Sequence, residues 1–191
     1  MPTRFVASGS NALNLQVIEG PEFAFVGRSN VGKSSLVGKL IGAPKLLRTS
    51  RTPGRTQMLN LFEAGNDFRI VDLPGYGYAK LSKKHRASLQ KMIFDFIADR
   101  TNLTAVVQLV DIRRTKVSED DLRLARRVLE EGIPLIVVIT KIDLVPKTKR
   151  FHHVNQIEKS LGIPSRSAIL CSAKSGDGRK QLYGRLVEFE A

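Results

Sequence analysis

The chain has 191 residues with 31 Lys and Arg against 18 Asp and Glu, a net charge of +13. Its 42% hydrophobic and 26% charged content is ordinary for a soluble globular protein with a sizeable core. No apolar run approaches bilayer length, the longest (133–139) being broken by Pro134. The start, MPTRFVASGSNALNLQ, has no apolar stretch of secretory type, and the single Cys171 excludes an internal disulfide. A cytoplasmic protein is expected, with Cys171 as a small core residue. The charge is uneven: +6 over 1–57, +2 over 58–140 and +5 over 141–191. Such an excess favours a polyanionic partner, either nucleic acid or an acidic membrane surface. Aromatic residues are only 6% and do not interleave with the basic runs, which argues against a single-strand stacking platform.

In chain order, EFAFVG (22–27) reads as a strand and KSSLVGKLIG (33–42) as a helix. MLNLFEA (58–64) and DFRIVDL (67–73) read as two strands joined by a Gly-Asn turn at 65–66. Residues 81–97 place Leu89, Ile93, Phe96 and Ile97 on one helical face and Lys83, Lys84, Arg86 and Lys91 towards the other. TAVVQLVD (104–111) is a strand, and 118–131 is a helix opened by a Ser N-cap and an acidic first turn. IPLIVVIT (133–140) has the composition of a fully buried strand. A helix near 148–161, a strand near 166–171 and a helix near 176–189 close the chain. The order predicts an α/β protein of three layers, with a six-stranded, mainly parallel sheet and one antiparallel edge strand from the hairpin. Residues 1–191 are expected to form one domain, the order of 1–20 being left open.

The stretch GRSNVGKS matches G-x-x-x-x-G-K-[ST] between a strand and a helix, the context that motif requires. In it Gly27, Arg28, Ser29, Asn30, Val31 and Gly32 would wrap phosphates with backbone N–H groups at the positive end of the helix. Lys33 would reach the β- and γ-phosphates, Ser34 would give an oxygen to Mg²⁺, and Ser35 would help hold the helix start. Asp72 of DLPG follows a strand and can reach the same metal, while Gly75 would offer its N–H to a γ-phosphate. In TKID, Asp143 can accept from guanine N1–H and N2–H₂, a donor pair adenine lacks, and Lys141 can lay its stem over the purine. CSAK closes the site: the Ala173 N–H could meet guanine O6, with Ser172 and Lys174 beside it. The histidines His85, His152 and His153 form no convincing metal or catalytic set and read as surface residues. Asp111, at a strand end near the nucleotide face, is taken as structural.

With these pieces in order the chain resembles the translation-factor-related GTPases of Ras-like fold, and within them the EngB (YihA/YsxC) family of bacterial ribosome-biogenesis GTPases. The residues that carry this are GRSNVGKSSL (27–36), RTPGRTQ (51–57), DLPGYGYA (72–79), DIRR (111–114), TKID (140–143) and SAKSGDG (172–178). The resemblance implies that 43–57 is a switch in which Thr56 closes on Mg²⁺ and the γ-phosphate. Lys33, Thr56 and Gly75 are then the candidate catalytic residues, and Ser34, Thr56 and Asp72 the metal ligands. Lys45, Arg48, Arg51 and Arg55 make that segment basic, either as a solvated loop or as an RNA contact made in one nucleotide state. Thr140 stands where the wider class has Asn, so the base loop is expected to have only one short tie to the phosphate loop. At Asn30 two readings stand: a K⁺ ligand, or a residue chosen for tight loop geometry. Tyr76 falls where many such GTPases have a water-orienting Gln. Slow intrinsic hydrolysis of GTP to GDP is therefore expected, with Tyr76 and Tyr78 alternatively facing a partner. The resemblance further implies a monomer that acts on the large ribosomal subunit or its assembly intermediates, with a link to cell division. Two other readings are open to test: a nucleotide-gated module on acidic membranes, without a lipid-binding helix or lipidation signal in its favour, and a nucleotide kinase, which TKID and SAK oppose.

Overall fold

A computed structural model of the chain describes residues 3–45, 58–65, 68–77 and 82–190. The strands are β1 (Arg4–Gly9), β2 (Glu22–Gly27), β3 (Leu59–Ala64), β4 (Phe68–Asp72), β5 (Leu103–Asp111), β6 (Leu135–Thr140) and β7 (Ile169–Leu170). The helices are α1 (Lys33–Leu40), α2 (Lys83–Asp99), α3 (Glu119–Glu130), α4 (Lys147–Leu161) and α5 (Arg179–Val187). The strands form one sheet in the order β1-β3-β4-β2-β5-β6-β7. Among the described strands only β3 runs against the rest: β3 is antiparallel to both β1 and β4, while β4, β2, β5, β6 and β7 are parallel neighbours.

The mainly parallel α/β sheet is as expected, but among the described residues it has seven strands where six were expected. The extra one, β1, comes from the N-terminal segment and lies outside β3, so the antiparallel strand is second from the edge. Residues 4–9 escape sequence reading because an edge strand buries little: Arg4 and Phe5 are exposed, Val6 and Ala7 half-buried. Cross-strand pairs fix its register instead, namely an ion pair from Arg4 to Glu63, a 2.6 Å hydrogen bond from Ser8 Oγ to Asn60 Oδ1, and edge-to-face contact of Phe5 with Phe62.

Alternation explains why β2 is buried along its whole length. Phe23 and Phe25 enter the layer under α1 and α5, while Ala24 and Val26 enter the layer under α2 and α3. In α2 the expected face is the buried one, Leu89, Ile93, Phe96 and Ile97. In α3 the expected Ser118 cap is present and forms a reciprocal box with Asp121. The strand expected over 166–171 contracts to Ile169–Leu170. Ahead of it, the buried Glu158 carboxylate accepts from the N–H groups of Arg166 and Ala168 at 3.0 Å, so this backbone is satisfied by a side chain and not by a ladder.

Arg100 ties the N-terminal segment to the sheet. Its fork donates to both Glu22 carboxylate oxygens at 2.8 Å and to the carbonyls of Ala12, Leu15 and Gln16 at 3.2, 2.8 and 2.9 Å. Glu22 is fully buried, so the pair satisfies each partner in a place where either alone would be costly. An Arg100→Lys change keeps the charge and loses the fork. It should lower the unfolding free energy by about 2 kcal/mol in urea titration, with GDP affinity retained.

Candidate functional site

At the C-terminal ends of the parallel strands, four loops converge. The loop after β2 turns sharply through Asn30 (φ 64°) and Gly32 (φ 101°) before α1 begins at Lys33. The left-handed value at Asn30 is one that Asn tolerates, as the loop-geometry reading of this residue requires. Gly27 is required by close approach, since a Cβ there would stand 2.9 Å from the Leu109 carbonyl oxygen. Val31 is buried and anchors the loop, whereas Arg28, Ser29, Ser34 and Asn30 are partly or fully exposed. Lys33 is buried and its ammonium contacts Asp72 Oδ1 at the end of β4. The cation read as a phosphate ligand and the carboxylate read as a metal ligand are thus brought to one spot.

The 72–77 segment is laid alongside the phosphate loop by backbone hydrogen bonds. Tyr76 N donates to Gly27 O at 3.3 Å, and Ser29 N donates to Tyr76 O at 2.7 Å. Gly75 is packed on Ser29, whose Cα, N and Oγ would each be 3.3 Å from a Cβ at 75. Thr56 and the rest of RTPGRTQ, together with Tyr78, lie outside the described residues.

The side chain of Tyr76 corrects one expectation. It is not a partner-facing group: its ring is buried between α2 and α3, and its hydroxyl donates to Asp121 Oδ1 at 2.5 Å. Burial and the neighbouring Asp121 carboxylate push the phenol well above the usual tyrosine range, so it stays a donor. Asp121 Oδ2 meanwhile accepts from the Ser118 backbone N–H and hydroxyl, so one carboxylate caps α3 and bolts the 72–77 loop to it. Tyr76→Phe should therefore act on stability and not on the nucleotide. A loss of about 1 to 2 kcal/mol in thermal or urea unfolding is expected, with GDP affinity unchanged.

The base side is equally tied. Thr140 Oγ1 lies 2.8 Å from Val31 O and 3.2 Å from Val110 O. The threonine thus joins base loop to phosphate loop, and its one proton is shared between two acceptors instead of making the single contact expected. Lys141, at φ 59°, donates to Asn30 O at 2.5 Å and to Asp111 Oδ2 at 2.8 Å. Asp111, read as structural, therefore holds Lys141, the lysine read as covering the purine, in place. Burial alone would raise its pKa, but hydrogen bonds from Arg113 and Lys141 outweigh that and lower it to about 2. Asp143 Oδ1 accepts from Ser172 Oγ at 2.7 Å, and the same Oγ accepts from Lys174 N and Ser175 N at 3.1 Å. Ser172 thereby sets both the carboxylate and the Ala173–Lys174 turn, a role its sequence position did not reveal. Lys174 itself is exposed, and its carbonyl accepts from Lys39 Nζ at 3.3 Å.

Cys171 is buried, and burial pushes its thiol up to about 12, as suits an inert core residue. Among the described residues no group of three or more His, Cys, Asp or Glu is placed to hold a metal. His85 and His152 are exposed, and His153 is half-buried with Nδ1 3.0 Å from Ile112 O. No helix among the described residues is long and apolar enough to cross a membrane.

Comparison with known proteins bears on family and fold. A family profile described as "50S ribosome-binding GTPase" matches residues 22–141. A protein of Desulfitobacterium hafniense named "Probable GTP-binding protein EngB" is 44% identical over 185 residues, 96% of this chain and 92% of the relative. The chain belongs to the EngB family of GTP-binding proteins. A solved EngB structure, "Crystal structure of a probable GTP-binding protein engB", is 28% identical with a TM-score of 0.77, covering 88% of this chain and 97% of that one. Era in complex with MgGDPNP and nucleotides of 16S ribosomal RNA shares the fold, at a TM-score of 0.64 and 22% identity over 89% of this chain and 56% of that one. In this EngB-family chain the phosphate loop and the DLPG turn fall within the span of the family profile, which ends at Lys141 inside TKID, so Asp143 and the SAK turn at 172–174 lie beyond it.

Proposed function

We propose that the protein is a cytoplasmic, monomeric GTP switch that hydrolyses GTP slowly and in one nucleotide state engages the large ribosomal subunit or an assembly intermediate of it. The observation that carries this is the joining of three motifs into one unit: Thr140 bonds the phosphate loop at Val31, and Tyr76 bonds it at Gly27 and Ser29. Guanine, phosphates and the DLPG turn are then read by a single rigid assembly. The family profile's description and the +13 charge support a ribosomal partner.

In this reading Gly27 to Gly32 wrap the phosphates, Lys33 takes the β- and γ-phosphate charge, and Gly75 donates its N–H to the γ-phosphate. Asp143 and the Ala173 N–H select guanine, Lys141 covers the purine, and Ser172, Lys174 and Thr140 hold those groups in register. The donor set fits Mg²⁺, because Ser34 and Asp72 offer hard oxygens on adjacent loops and Thr56 would add a third. Mg²⁺ held there would neutralise charge on the β- and γ-phosphate oxygens. Ser35 supports the start of α1. Tyr76, turned into the core, offers no group to the attacking water, so turnover depends on a partner or on K⁺ beside Asn30.

The test is co-sedimentation with purified ribosomal subunits, the protein being loaded with GDP or a non-hydrolysable GTP analogue at two salt concentrations. Binding to the large subunit with one nucleotide and not the other is expected, weakening steeply with salt. Equal binding in both states, or preference for liposomes over subunits in a parallel flotation, would sink the reading.

A further inference from the structure

A cavity of about 390 Å³ lies against the phosphate loop. Its walls are residues 28–31, Gly77, the end of β5 with the turn that follows it, and Asp121. It shares Lys141 with the base site, but Lys33, Ser34, Asp72, Asp143 and Ala173 do not line it. The cavity thus borders the phosphate loop at residues 28–31 without including the residues read as holding the γ-phosphate, the metal and the guanine edge.

The cavity carries excess positive charge. Arg28, Arg113, Arg114 and Lys141 face Asp111 and Asp121, four cations against two carboxylates. The carboxylates are already committed. Asp111 accepts from Arg113 at 2.7 Å and from Lys141 at 2.8 Å, and Asp121 accepts from Tyr76 and Ser118. The side chains of Arg28 and Arg114 have no ion pair or hydrogen bond among the described residues. Arg28 is half-buried with its guanidinium laid against Gly77, where a Cβ would stand 3.0 Å from Nε. Gly77 also has φ 68°, a left-handed backbone that favours glycine. Two unspent guanidinium forks at one opening match the planar oxygens of a phosphate. The turn leading out of the cavity, Arg113-Arg114-Thr115-Lys116, has three exposed cations and no acid, a track for further phosphates of a strand.

We propose that this cavity receives a phosphodiester of an RNA strand, bound by Arg28 and Arg114, and that its occupancy is felt at the nucleotide through the shared phosphate loop. This rests on the reading of the protein as a GTPase that meets a ribosomal particle, and it names where the RNA is sensed. The coupling has a physical route: Arg28 touches Gly77, and the flanking residues Ser29 and Tyr76 are hydrogen-bonded across the same two loops. A ligand that draws Arg28 off Gly77 loosens the loop pair that holds the phosphates. Such coupling is reciprocal, so RNA and guanine nucleotide should each alter the other's affinity.

The test compares wild type with Arg114→Ala, an exposed turn position outside the nucleotide-binding residues, and with Lys147→Ala on α4 as a charge control. Large-subunit binding is measured across a salt series, together with release of fluorescent GDP with and without purified large subunits. Arg114→Ala should reduce the slope of log K against log salt by about 0.7 to 0.9 and abolish a particle-induced change in GDP release of about fivefold. Lys147→Ala should leave that change in place. If Arg114→Ala keeps both slope and coupling, or if the two variants behave alike, the cavity is not the RNA site. If inorganic phosphate at matched ionic strength reproduces the change in GDP release through Arg114, the ligand is free phosphate and the RNA assignment falls. A wild type that binds GDP but no ribosomal particle would overturn the ribosomal reading and this proposal together, and only that result removes both.

Discussion

Asp143→Asn should weaken GDP and GTP binding by about 100-fold or more and should admit xanthine nucleotides. A carboxylate facing guanine accepts from both N1–H and N2–H₂, and each hydrogen bond to a charged group is worth about 1.5–3 kcal/mol. The amide turns one acceptor into a donor, which then opposes the guanine amino group but suits the C2 carbonyl of xanthine. The structure makes the result readable as base recognition and not as misfolding. Ser172 Oγ donates to Asp143 Oδ1, and an asparagine Oδ1 can accept the same bond, so the 172–175 turn stays in place. Calorimetric titration with GDP and XDP checks both directions. Unchanged GDP affinity would mean that Asp143 does not face the base.

Gly178→Ala is expected to be strongly destabilising, costing about 2–5 kcal/mol. Gly178 caps the start of α5 at φ 74°, and a Cβ there would overlap the Leu170 carbonyl oxygen and stand 2.9 Å from the Cys171 sulfur. Left-handed backbone costs about 1–2 kcal/mol for an L side chain, and overpacking adds about 1–3 kcal/mol. Relief requires α5 to move away from β7, which carries the 171–174 turn with it, since Ser172 N donates to Asp177 O at 3.0 Å. Guanine affinity should therefore fall with stability. Gly162→Ala serves as the control: its φ of 69° is similar, but nothing lies within 4 Å of a Cβ there. It should cost only the backbone strain, about 1–2 kcal/mol, and spare GDP binding. Similar losses for the two variants in urea titration would show that contact with Leu170 is not what makes Gly178 necessary.

Much of the fold was readable because its causes are local. Gly27, Gly32 and Lys33 announce a phosphate loop by spacing, and Ser118 announces a cap by its position before an acidic turn. Leu89, Ile93, Phe96 and Ile97 share a face because a helix repeats every 3.6 residues. The β5 and β6 strands stood out because strands buried on both faces are apolar throughout. The seventh strand was not readable, since RFVASG has neither alternation nor an apolar run, and its pairing depends on Glu63, Asn60 and Phe62 some 50 to 60 positions away. RTPGRTQ, the motif that carries Thr56, lies outside the described residues.

The sequence by itself determined which residue types stand at the motif positions, groups chemically suited to phosphate, a hard cation and guanine, and in which order the elements follow. Residue type and short-range spacing are enough for that. Tertiary structure alone decided how those groups are aimed. It turned Tyr76 into the core to meet Asp121, set Asp111 on Lys141 and Ser172 on Asp143, and let Thr140 join two loops 109 positions apart. The physical reason is that the partner which satisfies a buried polar group is fixed by where the sheet brings the chain ends together, and no local propensity carries that information.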